Sequence, residues 1–151
     1  MKVIFDFLTS SLKKIKKMKK AIILIGYQND YFADDGILKS VVEESSRATN
    51  IIENTVNLIK KCKDTLVIAT PIIFKENYSE LSDPVGILKT IKEVEAFKKG
   101  NKGSETIEEL KAFGDKIIEI PGKQGLNSFV NTDLEKNLSW IISSPFKIWS
   151  I

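Results

Sequence analysis

Three short stretches of this 151-residue chain hold residue types that could do chemistry. Gln28-Asn29-Asp30 follows the apolar run Ala21-Ile22-Ile23-Leu24-Ile25, which suits a strand buried on both faces. Amide and carboxylate groups just past such a strand stand where open α/β sheets build their sites. Lys123 sits in Pro121-Gly122-Lys123-Gln124, directly after a second apolar run that ends at Ile120. Cys62 is the one thiol, and the chain has no histidine, which excludes any mechanism or metal site built on imidazole. A Gly-Lys pair after a strand could cradle a phosphate. That loop needs a glycine five residues before Gly122 and a Ser or Thr after the lysine, and the chain has Ile117 and Gln124 there. By residue type alone, Lys123 is a solvated lysine in a Pro-Gly turn and Asp30 caps its own turn. Cys62 is a small apolar residue on a helix stripe.

The elements that would position these groups alternate regularly. Strands are expected at about 20–26, 65–70 and 116–120. A long helix is expected at about 44–62, with Glu43, Glu44 and Ser45 in its first turn, where negative charge suits the helix dipole. Its apolar stripe runs through Ala48, Ile52, Thr55, Ile59 and Cys62. A short helix is expected near Ile87-Val94, and another at about 105–112 capped by Ser104. The capping box Thr132-Asp133-Leu134-Glu135 opens a last one. Strands separated by helices imply a parallel sheet with right-handed crossovers.

The charge is unevenly spread. Seven of the 23 basic and one of the 20 acidic residues fall in residues 1–20, so that stretch carries +6 and the remainder −3. The body is mildly acidic, which argues against a nucleic-acid-binding face. Residues 1–19 place Ile4, Leu8, Leu12 and Ile15 at helical spacing among lysines. Two readings stay open: a basic amphipathic helix resting on an anionic membrane surface or a partner, or an extension ahead of a domain that begins near Met18. No apolar run approaches the ~20 residues of a membrane span. One cysteine permits no internal disulfide, which fits a reducing, cytoplasmic setting.

Read together, the strand-end phrases resemble the isochorismatase-like cysteine hydrolases. Gly26-Tyr27-Gln28-Asn29-Asp30-Tyr31-Phe32 is similar to that family's I-D-M-Q-N-D-F motif, and Lys123 through Leu134 to its K-x-x-x-S-A-F-x-x-T-x-L segment. The Asp34-Asp35-Gly36-Ile37-Leu38 loop and Gly103-Ser104-Glu105-Thr106-Ile107 match in order and spacing as well. The resemblance implies a three-layer Rossmann-like α/β fold, with helices on both faces of a parallel sheet. It makes Lys123 the catalytic lysine, whose charge favours a thiolate and holds an oxyanion. It makes Gln28, Asn29 and Phe129 substrate-contacting, and it puts Gly26 where the family has its general-base aspartate.

The resemblance covers residues 20–138, leaving 139–151 as a divergent apolar tail. In the family the nucleophilic cysteine follows a fourth strand beside strand 1, in the order 3-2-1-4-5-6. No cysteine follows Cys62. The expectation is therefore a hydrolase fold for C–N (amide) or vinyl-ether bonds, truncated after about three strands and inactive. The alternative is a non-catalytic α/β interaction protein that uses its open sheet edge or basic N-terminus. Strand 1 would be an edge, promoting self-association unless Trp140-Ile141-Ile142 or Phe146-Lys147-Ile148-Trp149 pairs beside it. No cofactor is expected. Family members that bind a metal use histidine and aspartate after strand 2, and Pro71 to Asn77 offers no such set, so no metal is expected either.

Overall fold

The computed structural model of the protein describes residues 20–143. Three parallel strands, β1 (Ala21–Ile25), β2 (Leu66–Thr70) and β3 (Ile117–Glu119), form one sheet in the order β1-β2-β3. β1 pairs with β2 from Ala21↔Leu66 to Ile25↔Thr70, and β2 with β3 from Val67↔Ile117 to Ala69↔Glu119. The helices are α1 (Asn29–Phe32), α2 (Lys39–Thr49), α3 (Ile51–Lys61), α4 (Ile87–Glu93), α5 (Glu108–Lys111) and α6 (Leu134–Ser143).

Alternation along the strands makes three layers. Leu24, Val67 and Ala69 pack with Ile59 of α3 and Leu110 of α5. Ile68 on the other face packs with Leu134 of α6, joined by Ile23, Ile118 and Leu138. A third core beyond the strand ends joins Ile72, Phe74, Tyr78, Ile91 and Phe97. No described helix is long and apolar enough to cross a membrane.

Several expected elements differ. The single helix at 44–62 is two helices, hinged at Asn50, whose backbone is left-handed (φ 47°). Asparagine tolerates that conformation, and it ends a helix as glycine would. α2 begins at Lys39, so Glu43 and Glu44 lie beyond its first turn. The hinge breaks the stripe: Ala48 is exposed, while Thr55 and Ile59 stay buried. Cys62 is half-buried at the end of α3. Ser104 caps no α-helix. It closes a 3-10 turn at Lys102–Ser104, with its hydroxyl donating to Asn101 O. Thr132 holds the start of α6 by accepting the Leu134 N–H at 3.4 Å. Trp140, Ile141 and Ile142 lie in α6 and form no strand beside β1. The amphipathic reading of residues 1–19 and the Phe146–Trp149 alternative fall outside the described residues.

β1 is an edge among the described residues, and its polarity can be read from two contacts. Leu24 O accepts the Thr70 hydroxyl across the β1–β2 seam, and Ala69 O accepts the Ile120 N–H on the β3 side. N–H and C=O of one strand residue point the same way, and the direction alternates along the strand. Ile22 and Leu24 therefore bond to β2. Ala21, Ile23 and Ile25 aim their backbone groups away from the sheet.

Candidate active site at the strand ends

The chain leaves β1 through Gly26, held at φ +75°. A side chain there would meet the Tyr31 ring at 3.5 Å, an ordinary contact, but the backbone conformation is one that only glycine adopts freely. The turn delivers Gln28 into the interior, where it is 0 % exposed. Gln28 Nε2 donates to Ile72 O and Ser104 O, both at 2.7 Å, and its Oε1 accepts the Ile72 N–H at 2.7 Å. One side chain thus ties the exits of β1 and β2 and the loop before α5.

Asn29 adds a second tie by donating to Lys102 O at 2.8 Å. Asp30 adds a third by accepting the Phe97 N–H at 2.6 Å. Burial pushes the Asp30 carboxyl above its ordinary range, against the lowering effect of that hydrogen bond. Gly103 lies so close to this carboxylate that any Cβ there would overlap it. Asp30 is therefore committed to pinning the 97–103 loop, a longer reach than the local turn cap expected of it. Gln28, expected to contact substrate, spends both ends of its side-chain amide on the protein's own backbone, and Asn29, expected to do the same, spends its amide nitrogen there.

Lys123 lies past the end of β3 and bridges in parallel to Ile72, with its carbonyl accepting the Ile73 N–H at 3.1 Å. Ile72 is thus gripped by Gln28 on one side and Lys123 on the other. Lys123 is 5 % exposed, and among the described residues no carboxylate pairs with its ammonium. Burial holds its pKa below the ordinary lysine range. This is far from the solvated turn lysine that residue type suggests. Phe129 is half-exposed and lines a groove of about 400 Å³ beside Ile23, Ile25, Leu126 and Ser128.

Cys62 ends α3 and precedes the start of β2, whereas Lys123 follows the strand ends. The five residues of β2, roughly 16 Å of strand, separate the two ends of the sheet. Residue reading also missed Thr106 and Glu119. Their side chains hydrogen-bond to each other and line a cavity of about 390 Å³ with Pro71, Ile73 and Leu110. The available signal was Glu119 itself, a lone charge in an apolar strand.

An open parallel α/β sheet in three layers, with a buried lysine past its strand ends, defines the class as a Rossmann-like α/β protein. The isochorismatase domain family model matches residues 20–139, and the chain belongs to that family. No curated protein matches the sequence. Among solved structures, a cysteine hydrolase from Pseudomonas syringae pv. phaseolicola 1448A superposes with a TM-score of 0.57 at 17% identity. That match covers 85% of this chain and 56% of the other. Nicotinamidase PncA from Bacillus subtilis gives 0.52 at 21%, covering 81% and 65%. Pyrazinamidase of Pyrococcus horikoshii, solved in complex with zinc, gives 0.54 at 21%, covering 80% and 64%. These likenesses show the fold, and the chain spans 56 to 65% of the length of the structures named.

The residues here do not fit a metal like that zinc. The chain lacks histidine, and no three Cys, Asp or Glu side chains converge among the described residues. The segment after β2 instead sends Ile72 and Phe74 into the core.

Proposed function

We propose that this chain carries the lysine-bearing part of a hydrolase site for amide or vinyl-ether bonds, and that residues 1–151 alone do not complete the reaction. The observation that carries this reading is the separation of Lys123 from Cys62 by the length of the sheet. A buried ammonium without a counter-ion favours negative charge nearby, such as a polarised carbonyl oxygen or an oxyanion. Cleavage by the covalent route needs a thiolate within bonding reach of the same carbonyl carbon. Cys62, at the opposite end, cannot reach it. A thiol that works with Lys123 therefore comes from polypeptide outside these residues. The lone free cysteine is consistent with a reducing compartment such as the cytoplasm.

The relatives named nicotinamidase and pyrazinamidase make nicotinamide and pyrazinamide the first substrates to test. Ammonia release from either, with the 151-residue chain, is expected to stay at the buffer rate and to be unchanged by Cys62→Ser. Turnover that disappears in Cys62→Ser would overturn the reading. A second reading, a non-catalytic interaction protein, is favoured by one observation: β1, an edge among the described residues, shares a groove lined by Ile23 and Ile25 with exposed Leu126 and Phe129.

A further inference from the structure

We propose that the amino end of the sheet, opposite the Lys123 site, is a basic face that docks on a bilayer containing anionic lipid. This goes beyond the hydrolase reading and does not rest on it. The segments that feed the three strands are Lys20 ahead of β1, residues 60–65 from the last turn of α3 to β2, and the turn Gly114–Lys116 ahead of β3. Because the strands run parallel, all three segments meet at one end of the sheet. They hold five lysines, Lys20, Lys60, Lys61, Lys63 and Lys116, and two carboxylates, Asp64 and Asp115, a net +3. Lys20, Lys60, Lys61 and Lys63 are exposed and enter none of the ion pairs among the described residues. Lys116 is half-buried, its ammonium donating to Ile59 O at 2.6 Å near the end of α3.

Residues 1–19 lie outside the described residues, but they join the domain at Lys20 and so at this same end. Six lysines and one aspartate give them +5. That end then carries +8 of a chain whose net charge is +3, which leaves −5 for everything else. A charge distribution so divided turns the basic end toward a negative surface and the rest away from it. Two features of composition select a lipid surface over nucleic acid. Every cation at this end is a lysine, a hydrated point charge suited to diffuse attraction. The chain's one arginine, Arg47, is in α2 and paired with Glu43. Ile4, Leu8, Leu12 and Ile15 recur among the lysines, and a bilayer interface accepts such apolar groups. Gln28 and Lys123 lie past the far ends of the strands, so docking in this orientation turns the candidate site away from the bilayer.

Co-sedimentation of the full chain with phosphatidylcholine vesicles, with and without about 30 mol% phosphatidylserine, at about 0.1 M salt tests this. Binding is expected to the anionic vesicles alone, and it should fall at least about tenfold at about 1 M salt, where the screening length shrinks to about 3 Å. Each lysine near such a surface is worth about fivefold in affinity. Lys60→Gln, Lys61→Gln and Lys63→Gln combined should therefore weaken binding at least about tenfold, with circular dichroism unchanged. Lys75→Gln, Lys89→Gln and Lys99→Gln combined remove the same charge from exposed positions beyond the carboxyl ends of the strands. That variant should bind as the wild type does. Hydrogen exchange reads the orientation: on anionic vesicles, amides in residues 60–65 and 114–116 should slow, while those in residues 97–103 should not change. Equal binding to neutral vesicles would overturn the proposal, as would no binding to either kind. So would a loss of affinity no larger in the first triple variant than in the second, since the described lysines would then play no part. Tighter binding to a double-stranded oligonucleotide than to anionic vesicles would also overturn it.

Discussion

Replacing Gln28 by leucine should separate a structural tie from a substrate contact. Gln28 makes three hydrogen bonds at 2.7 Å while fully buried, and Ile72, which supplies two of the partner groups, is 6 % exposed. Each bond contributes about 1 kcal/mol net, and stranding the Ile72 N–H away from water adds about 1–3 kcal/mol. Leucine fills most of the volume and limits any cavity term. The total is about 4–6 kcal/mol, a large part of the ~5–15 kcal/mol that holds a domain together. In urea, with a slope of about 2 kcal/mol/M, the unfolding midpoint should fall by about 2 M or more. Gln28→Glu should be worse, because its second oxygen would face the carbonyls of Ile72 and Ser104. Asn29→Ala, which removes one bond, should cost about 1 kcal/mol. A Gln28→Leu protein within about 1 kcal/mol of wild type would refute the reasoning and return Gln28 to the substrate-contacting role expected from the sequence.

Lys123→Met should stabilise the fold at neutral pH, because it removes a buried ammonium that has no counter-ion among the described residues. The lowered folded pKa means that the unfolded chain binds the extra proton. Wild-type stability should therefore rise relative to Lys123→Met as pH climbs through the folded value toward 10.5, which thermal melts at several pH values would show. Asp30→Asn keeps an acceptor for the Phe97 N–H and removes a desolvated charge, so urea midpoints should show no loss at neutral pH. Asp30→Ala strands that N–H and should cost about 1–3 kcal/mol. Gly26→Asp, which supplies the carboxylate type of the family motif, should fold but lose about 1 kcal/mol to the left-handed backbone, roughly 3 °C in Tm.

The parallel sheet was legible in the sequence, because three apolar runs were separated by helical patterns and bounded by Pro and Gly, whereas its strand order came only with the family resemblance. The layers follow from alternation in Ile22 to Ile25 and Leu66 to Ala69, a purely local signal. The break at Asn50 was not legible. Both halves of 39–61 are amphipathic, and asparagine marks a left-handed hinge only weakly. The roles of Gln28, Asn29 and Asp30 were hidden for a different reason. Their partners, Ile72, Ser104, Lys102 and Phe97, are backbone groups 44 to 76 residues away, and backbone groups leave no trace in residue type. Lys123 shows the same limit. The Pro-Gly turn around it suggested solvent, and only the fold reveals how deeply its neighbours at Ile72 and Ile73 bury it. The open edge of β1 was expected, but the choice of Ala21, Ile23 and Ile25 as its outward residues needed the contacts at Leu24 and Ala69.

The most direct test of the account is the protonation of Lys123 itself. Nitrogen-detected NMR of the lysine side chains, assigned with Lys123→Met, follows the Nζ resonance as pH is raised. The account predicts a Lys123 titration midpoint below the ordinary lysine value of 10.5, as expected for a buried ammonium with no carboxylate beside it among the described residues. A midpoint at or above that value would mean that Lys123 is solvated or paired with an acid, and it could not be the unpaired charge on which the site is built.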